Sequence, residues 1–232
     1  MKIAVIISAN AEWRAVKEIY PNLDLRYSPF GEFADFVLDA WNLTLFHGGW
    51  GKISAGATAQ YVVDHFKPDL LVNLGTCGGF QGRIERGTII LVERTIVYDI
   101  FEQMTDGSEE IAFYTTELDL SWLPHILPSP VLRGLLASGD RDIIVEDIPM
   151  LIEKYGAFAA DWESGAIAWV AKRNGIRCLI LRGVTDLVGG AGGEAYGNYE
   201  LFTRRTYEIM KRLFDQLPAW LAAIKKGCAK SM

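Results

Sequence analysis

The sequence lacks a long hydrophobic run and an excess of basic residues. No apolar stretch in its 232 residues approaches the ~20 residues that a membrane-spanning helix needs. Lys and Arg together number 23 against 29 Asp and Glu, a net charge of −6, whereas nucleic-acid binding requires a basic face. We therefore expect no membrane partner and no nucleic-acid partner.

Cysteine is also scarce, with only Cys77, Cys178 and Cys228, and these three are widely spaced. There is no CxxC pair, and the three histidines do not cluster with the cysteines in the sequence. This pattern favours reduced thiols over a disulfide framework or a metal site. The segment Ile3–Ile7 is typical of a buried strand rather than of a signal peptide. We expect a cytoplasmic protein without a metal.

Several cofactor and catalytic motifs are missing. The first strand is not followed by GxGxxG, and Gly51-Lys52 lacks the remainder of a phosphate-binding P-loop. Neither GxSxG nor HExxH occurs. The sequence therefore predicts no dinucleotide site and no cofactor.

The distribution of apolar residues indicates a globular α/β protein. Half of the residues are hydrophobic and 22% are charged, a composition that supports a packed core. Short apolar strands alternate with segments of helical periodicity. This alternation predicts one domain over residues 1–232, a three-layer sandwich with helices on both faces of a mixed central sheet. The predicted strands include 5–7, 36–38, 43–46, 70–74, 89–92 and 178–181, and the helices include 11–19 with Asn10 as N-cap, 52–66, one around 167–171, and a long C-terminal helix.

Three carboxylates fall where ligands bind in such a fold, at the carboxyl ends of strands. Glu12 follows the first strand, Asp186 follows the strand at 178–181, and Glu163 lies at the start of the helix near residue 165. A glycine-rich segment, 75–79, follows another strand and is interpreted as a turn. Each carboxylate alone is also compatible with a helix-start or loop position. Together they indicate a site at one edge of the sheet.

The order of these segments resembles the nucleoside phosphorylase superfamily, most closely the methylthioadenosine and S-adenosylhomocysteine nucleosidases. The resemblance extends from Met1 to about Leu217. It rests on the opening strand that leads to Glu12, on Gly49-Trp50-Gly51-Lys52 before a helix, on 67–79, on Asp161-Trp162-Glu163, and on Arg182-Gly183-Val184-Thr185-Asp186.

The resemblance implies an enzyme that cleaves the bond between a purine and a ribose. Asp186 matches the family's acid, which protonates N7 of the leaving base. Glu12 matches the base that deprotonates the attacking water. Glu163 matches the residue that binds the ribose hydroxyls and stabilises positive charge on the sugar. The role of Arg182 is left open, because a cation close to Asp186 would oppose protonation of that carboxylate.

Further substrate-binding positions follow from the same resemblance. Thr76 matches a small hydroxyl residue near the water, Gly78 belongs to the glycine segment, and Trp162 lies beside the sugar. Two positions depart from the family: Trp50 replaces a smaller aliphatic residue near the 5′ substituent, and Asp142 stands near a position where the family stacks an aromatic on the base. Trp50 predicts a preference for small 5′ groups. The glycine loop 189–193 is either a mobile surface loop or a lid, with Tyr196, Tyr199 or Phe202 as its apolar contact.

The attacking nucleophile and the preferred purine are each predicted from a single position. Phosphorylases of the superfamily carry an arginine where this chain has Asn73, and a neutral amide cannot replace a phosphate-binding guanidinium, so water is favoured. Arg14, near Glu12, is the residue that weakens this conclusion. Asp186 favours a 6-aminopurine such as adenine. A phosphate-dependent phosphorylase and a non-catalytic nucleoside-binding relative are the alternatives, although a protein that only binds needs no buried acid. The family also implies a homodimer, with Tyr98 as a candidate contact.

Overall fold

The computed structural model describes the backbone of residues 1–230 and the side chains of residues 1–227. Cys228, predicted to be a reduced thiol, lies outside the described side chains, whereas Cys77 and Cys178 are free and buried. The strands are β1 (Ile3–Ile7), β2 (Arg26–Tyr27), β3 (Glu32–Leu38), β4 (Trp41–His47), β5 (Leu70–Phe80), β6 (Ile89–Val97), β7 (Thr116–Glu117), β8 (Leu132–Ser138), β9 (Ala157–Asp161), β10 (Arg177–Gly189) and β11 (Gly192–Gly193). The α-helices are α1 (Asn10–Ile19), α2 (Gly51–Phe66), α3 (Ser108–Tyr114), α4 (Ile148–Tyr155), α5 (Ser164–Arg173) and α6 (Tyr199–Lys230).

All of these strands belong to one mixed sheet. Its order is β11-β10-β6-β8-β9-β5-β1-β4-β3-β2, with β7 paired to β6. β1 runs parallel to β4 and β5, and β5 runs parallel to β10, while β3–β4, β6–β10 and β5–β9 are antiparallel. Because β10 also pairs with β5, strands β5, β10, β6, β8 and β9 form a closed ring.

Apolar helices cover both faces of the sheet. Along β1, Ile3, Val5 and Ile7 pack in the core that includes α1 and α6. The intervening Ala4 and Ile6 pack in the core that includes α2 and α5. Because neighbouring side chains of a strand point to opposite faces, the all-apolar β1 is explained by burial on both sides. The predicted three-layer α/β fold is confirmed.

The glycine segment 75–79 was predicted to be a turn, and this prediction is wrong. The segment is part of the long strand β5. β10 pairs with β5 from Arg177 to Val188, with a bulge between Val184 and Asp186. The glycines allow close packing: a Cβ on Gly79 would lie 2.7 Å from side-chain atoms of both Ile84 and Val184. Asp186 therefore sits within a strand beside this bulge rather than after the strand.

Other local expectations also differ from the structure. Strands β8 and β9 were not predicted. For β9 the reason is its alanine-rich sequence, which has low strand propensity. The N-cap of α1 is Ala9 rather than Asn10. Tyr98, a candidate for contact with a partner chain, is buried within a core cluster. Among the residues described, no helix combines the length and apolar character needed to cross a membrane.

Candidate active site

A cavity of about 550 Å³ lies where the ends of β1, β5, β9 and β10 meet. Its walls include side chains from the beginnings of α1 and α6 and from the segment after β8. The structure brings all eight residues predicted for the site to this one cavity: Glu12, Trp50, Thr76, Gly78, Asp142, Trp162, Glu163 and Asp186.

Glu12 is buried at the start of α1 and is held at both carboxylate oxygens. Its Oε1 accepts hydrogen bonds from the backbone N–H of Thr76 at 2.6 Å and from the Thr76 hydroxyl at 2.9 Å. Its Oε2 accepts from the backbone N–H of Ala9 at 3.1 Å, the helix-start contact that supplies a partner for an otherwise orphan donor. Glu12 thus caps its own helix and is fixed against β5.

Arg182 is fully buried on β10 and lies behind Glu12. Its Nη1 is 3.4 Å from Oε1 of Glu12, and its Nη2 is 3.0 Å from Oδ2 of Asp161. Nε donates to the Ser164 hydroxyl at 2.8 Å, and Nη2 donates to Oδ1 of Asn73 at 2.8 Å. The guanidinium thus links the end of β9 to the start of α1.

Asp161 belongs to the motif Asp161-Trp162-Glu163 and is a site residue that the sequence pattern did not single out. Its carboxylate accepts from the Ser138 hydroxyl at 2.6 Å and from the Ser164 hydroxyl at 2.5 Å, and it is buried. The available signal was the pairing of two acidic residues, Asp161 and Glu163, around one tryptophan. Two nearby buried carboxylates require a buried cation, and Arg182 was the unexplained candidate.

Glu163 is buried at the start of α5, two residues beyond Asp161. Its Oε1 accepts a hydrogen bond from the backbone N–H of Gly51 at 3.1 Å. Burial, reinforced by the negative charges of Asp161 and Glu12 and opposed by Arg182, raises the pKa of Glu163 to about 8. Without a ligand, Glu163 therefore holds a proton near neutral pH.

A lysine-centred ion cluster fixes the backbone that contacts Glu163. Lys52 Nζ lies 2.5 Å from an oxygen of Asp99 and 3.2 Å from an oxygen of Asp140. The backbone N–H of Lys52 also donates to Asp140 at 2.7 Å. The cluster ties the start of α2, and with it Trp50 and Gly51, to the segments that follow β6 and β8.

Asp186, which also lines the cavity, lies on β10. Its Oδ1 accepts from the Thr185 hydroxyl at 2.7 Å. Burial raises the pKa of Asp186, and the Thr185 hydrogen bond and the charge of Arg205 oppose that rise. Arg182, whose effect on Asp186 was left open by the sequence, forms its ion pairs with Glu12 and Asp161.

The rim of the cavity holds the two positions that depart from the family. Trp50, 64% exposed, stands at the N-cap of α2, and Asp142 is exposed. Its neighbour Ile143 is buried and packs on Gly78, where a Cβ would lie 2.7 Å from Cδ1 of Ile143. Ile143, rather than Asp142, is the apolar contact on this wall, and the sequence pattern did not single it out.

The glycine loop forms a small hairpin. Gly192 and Gly193 pair antiparallel with Gly189 and Val188. Beyond it, Tyr196, Tyr199 and Phe202 all line the cavity. Arg14 is exposed, and its Nη1 donates to the Tyr199 hydroxyl at 3.2 Å. In the part of the chain that the structure describes, no group of three or more His, Cys, Asp or Glu side chains is arranged to hold a metal ion.

Comparison with known proteins agrees with this architecture. A family model described as the phosphorylase superfamily matches residues 2–217. The chain belongs to this superfamily. A 5′-methylthioadenosine/S-adenosylhomocysteine nucleosidase from Anoxybacillus flavithermus is 24% identical, with 94% of this chain and 99% of that protein covered. A protein of the same name from Buchnera aphidicola subsp. Schizaphis graminum is 27% identical over 94% and 97% of the two chains.

A solved structure has the same fold. The structure of a 5′-methylthioadenosine/S-adenosylhomocysteine nucleosidase from S. pneumoniae, determined with the transition-state inhibitor MT-ImmA, aligns with a TM-score of 0.74 and 20% identity. The alignment covers 97% of this chain and 100% of that chain.

The raised pKa of Glu163 predicts a pH-dependent stability. The folded state binds this proton more tightly than the unfolded chain, where the ordinary value is 4.5. The stabilisation is complete below pH 4.5 and is lost as pH rises through about 8. Glu163→Gln stays neutral, so its free energy of unfolding should fall less than that of the parent between pH 5 and pH 8. Urea unfolding at both pH values measures this difference.

The matched control is Glu18→Gln, which removes an exposed carboxylate from α1. It should keep the pH dependence of the parent. An equal loss of stability in Glu163→Gln and the parent would contradict the assignment of the raised pKa to Glu163.

Proposed function

We propose that this protein is a purine nucleosidase that hydrolyses the N-glycosidic bond of an adenine nucleoside, such as a 5′-substituted thioadenosine. The observation that carries the proposal is the pair of buried carboxylates in one cavity, Glu12 held by hydrogen bonds and Asp186 with a raised pKa. The 5′-methylthioadenosine/S-adenosylhomocysteine nucleosidases that match nearly the whole chain support it.

The leaving base needs a proton, and Asp186 is the proposed donor. Cleavage of the ribosyl C–N bond places negative charge on the purine, so protonation at N7 makes it a better leaving group. Burial raises the pKa of Asp186 and keeps it protonated at higher pH than an exposed aspartate. The Thr185 hydroxyl on Oδ1 fixes the orientation of this carboxyl group.

The sugar develops positive charge as the base leaves, and Glu163 is proposed to bind its hydroxyls. Glu163 acts here as a carboxylate, because the positive charge that develops on the sugar favours its ionised form. That carboxylate accepts hydrogen bonds from two hydroxyls and stabilises an oxocarbenium-like transition state. The backbone N–H of Gly51 on Oε1 sets the direction of Glu163. Trp162 lies on the same wall of the cavity and supplies an apolar surface.

Glu12 is the proposed base that orients and deprotonates the attacking water. Its Oε1 already accepts from the Thr76 hydroxyl and backbone N–H, which leaves Oε2, bonded to Ala9 N–H, with further acceptor capacity. Arg182 is a positioning residue: it holds the Glu12 carboxylate from behind. This division of an acid on the leaving group and a base on the water is that of an inverting glycosidase.

Water is favoured over phosphate because the cavity offers no uncommitted guanidinium. Among the described residues that line it, Arg141 is the single arginine, and it forms an ion pair with Asp147. Asn73 does not line the cavity but accepts from Arg182 and donates to the carbonyl of Ile6. Arg14, which weakened this argument in the sequence, is engaged with Tyr199. A phosphate dianion requires arginines free to bind it.

The nucleophile is tested directly in phosphate-free buffer. Incubation with adenosine or 5′-methylthioadenosine should release adenine and the free sugar, and added phosphate should not accelerate release. Formation of a ribose 1-phosphate that depends on added phosphate would establish the phosphorylase alternative. Binding without any release would establish the non-catalytic alternative.

Substitution of the two proposed catalytic carboxylates should separate their roles. Asp186→Asn and Glu12→Gln should each lower kcat by roughly 10²–10⁴-fold, because each removes an acid or a base from the reaction. Binding of a non-hydrolysable nucleoside analogue should survive Glu12→Gln better than Glu163→Ala, since Glu163 binds the ribose. Losses below tenfold in both Asp186→Asn and Glu12→Gln would contradict the mechanism.

We further propose that the protein is a single domain that acts in the cytoplasm as a homodimer. The two free buried thiols, Cys77 and Cys178, are typical of a reducing compartment. Large apolar side chains are exposed on α2 and in the segment after β6: Ile53 is 86% exposed, Phe101 85% and Met104 89%. The Lys52–Asp99 ion pair joins the two segments that carry them. Such an exposed apolar group marks an interaction surface, and a second copy is the proposed partner.

A charge on this surface should separate the dimer. Ile53→Asp should reduce the molar mass in light scattering from twice 25.8 kDa to 25.8 kDa, because an unpaired charge would be buried at the interface. Ile126→Asp, at a residue 88% exposed elsewhere on the chain, is the matched control and should leave the mass unchanged. A parent protein of 25.8 kDa would contradict the proposal.

A further inference from the structure

Tyr196 is a polar side chain of the cavity that the proposed mechanism does not use. Tyr196 lines the cavity together with Asp186 and Ile143. Its Oη donates to the backbone carbonyl of Ile143 at 3.0 Å. Burial, with the negative charges of Asp142 and Asp186, raises the pKa of Tyr196, so the phenol is neutral and keeps its hydrogen.

The fold holds Tyr196 in this position from the glycine hairpin. The backbone N–H of Tyr196 donates to the carbonyl of Gly193 at 3.0 Å. The ring lies so close to Gly193 that a Cβ there would be 2.6 Å from Cδ1 and Cε1 of the ring. Glu194 ties the hairpin to the sheet, since its N–H donates to the carbonyl of Leu187 at 3.0 Å and its carboxylate pairs with Arg205. Only glycine at 193 leaves room for the ring.

The hydrogen bond to Ile143 fixes what the Tyr196 oxygen can offer a ligand. A phenolic hydroxyl has one hydrogen and two lone pairs. With the hydrogen committed to the Ile143 carbonyl, the oxygen presents acceptor lone pairs to the cavity. It can accept a hydrogen bond from an amino group, and it repels the lone pairs of a carbonyl oxygen.

The contact of Asp186, the proposed acid, with the purine determines which substituent of the purine lies near the Tyr196 oxygen. In a purine, N7 and the substituent at position 6 share one edge, so a base whose N7 contacts Asp186 carries its 6-substituent beside that residue. Tyr196 lines the same cavity as Asp186, so both groups are available to this edge. This step rests on the function proposed above.

We propose that Tyr196 is a specificity-determining residue that selects 6-aminopurine nucleosides over 6-oxopurine nucleosides. Its oxygen accepts from the 6-amino group while its hydrogen stays on Ile143. Its role is distinct from that of Asp186, because it moves no proton in the reaction.

The test compares kcat/KM for adenosine and inosine in the parent and in Tyr196→Phe. The phenylalanine variant keeps the ring on Gly193 and removes the acceptor. The adenosine-to-inosine ratio of kcat/KM should fall about 2–10-fold, the effect of one neutral hydrogen bond. Tyr27→Phe is the matched control: it also removes one phenolic hydroxyl, but Tyr27 is 76% exposed and does not line the cavity, so the ratio should remain that of the parent.

A second variant and a binding measurement keep the outcome decisive. Gly193→Ala should also lower the ratio, because it displaces the ring while leaving the tyrosine in the sequence. Titration calorimetry of the parent and of Tyr196→Phe with free adenine and hypoxanthine measures the same preference without turnover. A parent that releases no base from any nucleoside would contradict the proposed function, and the calorimetry would then decide on Tyr196 alone. An unchanged preference in Tyr196→Phe, by either measurement, would overturn the role of Tyr196.

Discussion

The architecture of the site depends on one buried cation. Arg182 has no solvent exposure, and its guanidinium lies between Glu12 and Asp161. Removal of such a cation would leave two buried negative charges without compensation, a change that costs about 3–5 kcal/mol when one partner of a buried ion pair is deleted. Gly75 is required at the same place, because a Cβ there would lie 2.7 Å from Oε1 of Glu12. Gly75 and Arg182 together let β5, β10 and α1 meet closely at this point.

The same cation separates the proposed roles of the carboxylates. Glu12 is in contact with Arg182, whereas Asp186 is not and has a raised pKa from burial. Glu163 has a raised pKa despite the nearby guanidinium, because Asp161 and Glu12 add negative charge. Acidic residues around one cavity therefore have different partners through placement alone, which is how one site can carry both an acid and a base.

Much of this arrangement could be predicted from the sequence, and the remainder could not for physical reasons. The periodicity of β1, α2 and the strand at 178–181 predicted the three-layer fold, and the order of the motifs indicated the superfamily; both are confirmed. The eight site residues lie around one cavity, and their roles stay predictions. The strand at 157–161 was missed because alanine has little strand propensity, and the partners of Arg182 were missed because Asp161 lies 21 residues away in sequence. The Tyr196–Ile143 contact spans 53 residues, and no local pattern encodes it.

The closed ring of β5, β10, β6, β8 and β9 implies a gradient of local stability across the cavity. In a closed ring each strand has hydrogen-bonded neighbours on both sides, so opening any of them breaks two ladders at once. The hairpin at 189–193 belongs to the sheet only through the two residue pairs of β10 and β11. We therefore expect the amide hydrogens of β5 and β10, which carry Thr76 and Asp186, to exchange through large cooperative openings. The amide hydrogens of the hairpin that precedes Tyr196 should exchange through small ones. The cavity is thus enclosed by segments that differ in the free energy of local unfolding.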